Sequence, residues 1–263
     1  MKSISIFADY GLDDAAATVS ILNRGERFQK INIIPIGGNV PTEVSYRNCY
    51  TLLSNFPESW NKITVVSTLN LTQPYKNLTD IHGNDGMGDI FDIPTEKPKI
   101  NEISFREWLQ NYSEDEIILS LGPMTLVQTV LEKHSCKQLV IMGGIVNSAP
   151  NYNGYEFNQA LDVKAFEYCL KFPHTAITLD TCRIDKLDMR KVEITDNDLH
   201  SKILKADIAL SITRGEEGCY VWDDVAAIYL LYPDRFEVRK EKDPFGNIIS
   251  NAHYISEKFY CED

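Results

Sequence analysis

Near the N-terminus, Asp9-Tyr10-Gly11-Leu12-Asp13-Asp14 places three carboxylates on one short turn. Carboxylates crowded in this way repel one another. A hard divalent cation such as calcium, which takes several oxygen ligands, relieves that repulsion. A plainer role covers part of the cluster, because Asp13 or Asp14 in the first turn of a helix caps it and complements its dipole. Capping leaves Asp9 unexplained. Further glycine-marked polar segments follow apolar runs along the chain: Gly37-Gly38-Asn39-Val40, Gly122-Pro123-Met124-Thr125 and Met142-Gly143-Gly144. Loops of this kind, at the carboxyl ends of parallel strands, are where α/β folds bind ligands.

The order of these segments resembles that of the inosine-uridine nucleoside hydrolases. That family carries D-x-D-P-G-x-D-D at its N-terminus, and the stretch from Phe7 to Asp14 matches three of the four acidic positions. Its G-N-V loop is similar to Gly38-Asn39-Val40, followed by Arg47-Asn48 on a predicted helix. Its H-G-x-D-G-L-G loop is similar to His82-Gly83-Asn84-Asp85-Gly86-Met87-Gly88. G-P-L-T-N is similar to Gly122–Leu126, and M-G-G to Met142-Gly143-Gly144. E-F-N with a following D-P-x-A helix is similar to Glu156-Phe157-Asn158 and Asp162–Ala165. The late H-D-x-x-A helix is similar to Trp222–Ala226. Seven collinear matches across residues 3 to 236 are more specific than any one of them.

The resemblance implies a calcium-dependent N-ribohydrolase that cleaves the N-glycosidic bond of ribonucleosides with water. It implies Asp9, Asp14 and Asp223 as carboxylate ligands of Ca2+ and Thr125 as a ligand through its backbone carbonyl. Asp9 would also take the proton of the attacking water. Asp13, Asn39, Glu156 and Asn158 correspond to ribose-gripping groups and Met142 to a sugar-side contact. Asn151 corresponds to a further ribose-binding Asn at a spacing one residue short, with Asn147 a weaker alternative. General chemistry is consistent with these roles. Glycosidic cleavage passes through an oxocarbenium-like state, a cation acidifies the water it binds, and carboxylates stabilise positive charge on the sugar.

Tyr10 stands where the family has Pro, and three further departures from the pattern bear on the chemistry. The His that serves as leaving-group acid in nonspecific and pyrimidine-cleaving members is replaced by Trp222. A Trp here resembles the purine-specific subgroup, in which an indole stacks on the base, so purine nucleosides are the expected substrates. His82 is the competing supplier of the missing acid. Phe7 stands where the family has an Asp that orients ligands, and Leu126 replaces an Asn. These changes keep two alternatives open: hydrolysis of pyrimidine or modified nucleosides, or a catalytically impaired nucleoside-binding protein. Plain structural roles compete at several sites: His82 ordering its loop, Asn158 capping a helix, Trp222 packing and Asp223 capping.

The elements that must position these residues alternate between short apolar runs and helical stretches. Strands are predicted over Ser3–Phe7, Ile31–Ile36, Ile63–Val66, Ile117–Ser120, Gln138–Met142 and Thr175–Leu179. Helices are predicted from Asp13, over Glu43–Ser54, Leu126–Leu131, Val163–Leu170 and Val225–Leu231. Such alternation predicts an α/β, Rossmann-like fold with a mostly parallel central sheet flanked by helices, here as one domain over residues 1–263. The Asn-, Asp-, Gly- and Pro-rich stretch from Leu69 to Lys99 reads as a long loop, and long loops in compact domains tend to be functional. Residues 183–218 read as irregular helices. Hydrophobic residues make up 43% and charged residues 24% of the 263, which is ordinary for a globular protein. A net charge of -12 repels phosphate backbones, so the expected partner is a small nucleoside and not polymeric nucleic acid. Six scattered cysteines without zinc or C-x-x-C spacing predict reduced thiols in the cytoplasm. No apolar run suggests a signal peptide or membrane span. By resemblance, a homodimer or homotetramer is expected.

Overall fold

Buried on both faces, a parallel strand reads as a nearly continuous apolar run. Ser3–Ala8 is such a run and forms β1, the centre of the sheet. The computed structural model describes residues 2–257. After β1 come α1 (Leu12–Asn23), β2 (Lys30–Pro35), α2 (Thr42–Leu53), β3 (Ile63–Ser67), α3 (Thr79–His82), β4 (Asn101–Ser104), α4 (Phe105–Gln110) and β5 (Glu116–Ser120). The chain continues through α5 (Thr125–Leu131), β6 (Gln138–Met142), α6 (Phe157–Leu161), α7 (Val163–Cys169), β7 (Thr175–Ile177) and α8 (Leu179–Cys182). It ends with α9 (Leu199–Thr213), α10 (Trp222–Leu231), β8 (Phe236–Lys242) and β9 (Ile248–Tyr254).

The nine strands form one sheet in the order β4-β3-β2-β1-β5-β6-β7-β9-β8. Every pairing is parallel except β8 with β9. The chain winds outward from β1 through β2, β3 and β4, then returns to β1's other side with β5. That reversal makes the β1–β5 boundary a switch point, where flanking loops diverge and leave a crevice. Apolar side chains fill both faces. Ile4, Ile6, Val19, Ile21 and Val225 belong to one core, and Phe7, Ile34, Trp108, Ile118 and Phe166 to the other. Inside the sheet, Ser5, Asn32 and Glu116 make a buried polar knot. Asn32 Nδ2 donates to Glu116 Oε2 and to Ser5 Oγ, each at 3.1 Å, and the Ser5 hydroxyl donates to the same Glu116 oxygen.

The six predicted strands are present, one with identical bounds, four with ends shifted by a single residue and one shortened by two. The strand predicted to reach Leu179 stops at Ile177, because Thr178 turns to cap α8 through a reciprocal bond with Thr181. Two expectations are corrected in kind. Within the stretch read as irregular helices lies α9, a regular helix of 15 residues. Three strands had not been foreseen: the four-residue β4 at one edge, and the β8–β9 hairpin at the other. Residues 69–99 are largely loop, as expected, interrupted by α3. The five described cysteines are all free thiols; Cys261 lies outside the described residues. Among the described residues no helix is long and apolar enough to cross a membrane.

Candidate active site

The turn after β1 is shaped by two unusual backbone positions. Tyr10 has φ 45°, a left-handed conformation that costs a non-glycine residue on the order of 1–3 kcal/mol. Gly11 follows, and a Cβ there would lie 2.7 Å from His82 Cε1 and 2.9 Å from Asn39 Nδ2. The chain thereby turns sharply into α1, and Asp14 reaches back over the turn. Its Oδ1 accepts the Asp9 amide at 3.0 Å and its Oδ2 the Gly11 amide at 2.8 Å. Helix capping is therefore part of what Asp14 does, alongside its place in the acidic cluster.

Asp9 is fully buried. Its Oδ2 accepts the Asn39 backbone amide at 2.7 Å, and its Oδ1 accepts Asn39 Nδ2 at 3.0 Å. The same Asn39 amide nitrogen lies 3.3 Å from Asp14 Oδ2. Burial is the largest influence on Asp9 and pushes its carboxyl up to about 7 against these hydrogen bonds. Burial likewise raises Asp13, Asp14 and Asp223 well above the carboxylate range, and mutual repulsion adds to it. Asp13, Asp14 and Asp223 can each offer an oxygen within 4.8 Å of the others. Asp223 reaches them from the first turn of α10, which packs against α1. Oδ1 of Asp13 and Oδ1 of Asp223 are buried and have no hydrogen-bond partner. Orphaned carboxylate oxygens in an all-oxygen cluster are the donor set a hard divalent cation requires. The residues present therefore fit such an ion, with Asp13 in the triple and Asp9 beside it.

A cavity of about 660 Å³ opens over this cluster. That volume is in the range of small-molecule sites. Asp13, Asn39, His82, Met142, Asn151, Glu156, Asn158, Trp222 and Asp223 all line it, so each expected substrate-contacting residue reaches one space. Glu156 is also the N-cap of α6, accepting the amides of Gly144 at 3.1 Å and of Asn158 and Gln159 at 2.9 Å each. Asn158 Nδ2 donates to the Leu121 carbonyl at 2.8 Å, tying α6 to the loop after β5. His82 Nδ1 accepts the Leu12 amide, the first free N–H of α1, at 3.2 Å. Burial, with Arg214 nearby, holds that imidazole down at about 3, hence neutral. Trp222 has the Arg183 guanidinium 5.7 Å from its ring and Tyr220 at 5.3 Å.

Thr125 is not among the residues lining this cavity. It opens α5, where its hydroxyl donates to Asp162 at 2.6 Å and its carbonyl accepts the Thr129 hydroxyl at 3.3 Å. Asn147 gives its amide to Asp180, as do Val146 and Ser148. Phe7 and Leu126, the two apolar departures, both enter the core on the α5 side of the sheet. Phe7 meets Trp108 edge-on at 5.9 Å. The cavity wall also contains Tyr152, Arg183, Asp207 and Arg214, which sequence reasoning passed over. For Asp207 a signal existed: Ile203, Leu204, Asp207 and Ser211 recur at helical spacing and form the buried face of α9.

Residues 4–251 match the inosine-uridine preferring nucleoside hydrolase family. The chain belongs to that family. It is an enzyme of the nucleoside hydrolase class, a class that acts on small nucleosides. No curated protein matches it by sequence. Among solved structures it is similar to a purine-preferring ribonucleoside hydrolase from Gardnerella vaginalis, with 20% identity and a TM-score of 0.71 over 97% of this chain and 93% of that one. A plant nucleoside hydrolase has 20% identity and a TM-score of 0.71, covering 100% of this chain and 90% of that one. An inosine-uridine preferring nucleoside hydrolase from Bacillus anthracis has 17% identity and a TM-score of 0.66, covering 98% and 92%. At these identities the likeness is one of fold.

Proposed function

We propose that this nucleoside hydrolase cleaves the N-glycosidic bond of purine ribonucleosides to free base and ribose, with calcium as its metal. The observation carrying this is the placement of four buried aspartates beneath a cavity walled by amides, carboxylates and aromatic rings. Asp14 and Asp223 belong both to the expected ligand set and to the observed triple, and with Asp13 they would hold the ion. When bound, the cation acidifies water and orients the ribose diol. Asp9, locked in place by Asn39, accepts the water's proton as the oxygen attacks C1′. Asn39, Asn158 and Glu156 face the ribose and stabilise the charge developing on its ring.

The purine preference rests on Trp222, with Tyr220, Tyr152 and Phe157 in the same wall. An indole offers a π-face and no transferable proton, which suits a flat bicyclic base. The test is a reducing-sugar assay over inosine, adenosine, guanosine, uridine and cytidine, with and without a calcium chelator. Purine turnover that is lost with the chelator and restored by calcium is expected. No ribose release from any nucleoside overturns the reading, and turnover indifferent to the chelator overturns the metal.

A further inference from the structure

Departure of a purine as an anion is slow, so hydrolysis gains from a group that protonates the base as the C1′–N bond breaks. Several proton-bearing groups line the cavity, but Glu216 is paired with Arg214, Glu217 is exposed, and the phenols of Tyr152 and Tyr220 are far weaker acids than a carboxyl. Trp222 has no proton to give. His82 is neutral, with Nδ1 already taken by the α1 amide. Glu156 spends both oxygens on three backbone amides.

One carboxyl in the wall is differently placed. Asp207 sits on the buried face of α9, 7% exposed, and lines the cavity. Its hydrogen-bonding side-chain neighbour is the Cys219 thiol, a weak donor. Arg214 attracts it, yet that guanidinium is held at Glu216 by contacts of 2.8 and 2.9 Å and at the Ile81 carbonyl by one of 2.7 Å. Among the described residues no basic side chain forms an ion pair with Asp207. The other groups acting on it are anionic, Glu216 from the following loop and Asp13 from α1. A carboxyl in this position is left to its burial, which pushes it up to about 6.

We propose that Asp207 is the acid that protonates the departing base. The idea rests on the ribonucleoside reading above. The glycosidic electron pair leaves with the base, and a ring nitrogen of the base takes the carboxyl proton of Asp207. The water oxygen bonds to C1′ and its proton passes to Asp9. Asp207 regains its proton, and Asp9 loses one, by exchange with solvent.

The test compares two substrates on the full chain with calcium present: inosine, whose base must be protonated, and p-nitrophenyl β-D-ribofuranoside, whose phenolate leaves without help. Asp207→Asn is expected to lose about 100-fold or more in kcat on inosine and less than about tenfold on the phenyl riboside. The parent's kcat/KM on inosine should fall with rising pH on the alkaline side of its optimum, since the acid must be protonated, and the variant should lack that limb. Asp207→Glu, which keeps a carboxyl, should recover part of the inosine activity. Equal losses on both substrates mean a structural role and overturn the proposal, as does parent-like inosine turnover by Asp207→Asn. If the parent cleaves the phenyl riboside and no nucleoside, the ribonucleoside reading itself has failed.

Discussion

Replacing Gly38 by alanine tests how tightly Asp9, the proposed catalytic base, is held. The backbone at Gly38 has no left-handed strain, so the whole effect of the added methyl is steric. That Cβ would lie 1.7 Å from Asp9 Oδ2 and 2.5 Å from its Cγ, whereas real Cβ contacts are essentially never below 3.0 Å. One partner must move by at least about 1.3 Å. The loop is poorly able to yield: the Gly38 carbonyl accepts the Lys76 amide at 2.8 Å and its own amide donates to Val40 at 3.2 Å. Asp9 therefore swings away, and it loses the Asn39 amide bond on the same oxygen. Misplacing a reacting group by about 1 Å costs on the order of 100-fold in rate. Steady-state kinetics on the best nucleoside should show that loss in kcat, with the variant folded by circular dichroism. Gly122→Ala, whose Cβ would stand 2.9 Å from Asp9 Cγ, should be milder. Gly25→Ala, with nothing within 4 Å, is the control. Parent-like kcat in Gly38→Ala would refute the claim that Asp9's position is set by this contact.

Asp9→Asn should cut turnover about 100- to 10,000-fold while keeping the fold, because an amide cannot take the water's proton; near-parental rates on a substrate the parent cleaves would remove Asp9 from that role. Trp222→Ala should narrow the gap in kcat/KM between inosine and uridine by weakening purine turnover, a loss of about 1–3 kcal/mol for one stacking partner; a parent preferring uridine and a silent variant would mark the ring as packing only. Glu116 is raised above the ordinary carboxyl range by its burial between strands, so folding favours its protonated form. Its contribution is full below that range and lost as pH rises through the folded value. Glu116→Gln, neutral throughout, should melt higher than the parent at pH 8 and level with it at pH 4; thermal melts showing a pH-independent difference would count against this.

The central strands were legible because burial on both faces writes itself as nearly continuous apolar sequence, as in Ile4–Ala8, broken only by Ser5, and Leu139–Met142. Edge strands carry no such mark. β8 reads Phe-Glu-Val-Arg-Lys-Glu-Lys and is mostly exposed, and β4 reads Asn-Glu-Ile-Ser. Charge on an edge discourages further strand pairing and also hides the strand from a hydrophobic search. In the site, Asp9, Asp13 and Asp14 could be found because clustered acids need an explanation, and Asp223 through the resemblance of its helix to the family's late motif. Asp207 could not be found that way, since it stands alone; only its helical spacing with Ile203, Leu204 and Ser211 on the buried face of α9 marks it. The threefold capping by Glu156 was also invisible, because it depends on how α6 meets the loop after β6.

The winding of the sheet has a consequence for how the protein is made. β1 gains β2 as a neighbour soon after it leaves the ribosome, but its other neighbour, β5, follows only after β3, the long loop and β4. Through that interval of synthesis the nascent chain carries a strongly apolar strand with one open edge, the state in which proteins stick to one another. Yield in a foreign host should therefore respond more to lower temperature and to chaperones that shield nascent chains than to any change in the finished enzyme.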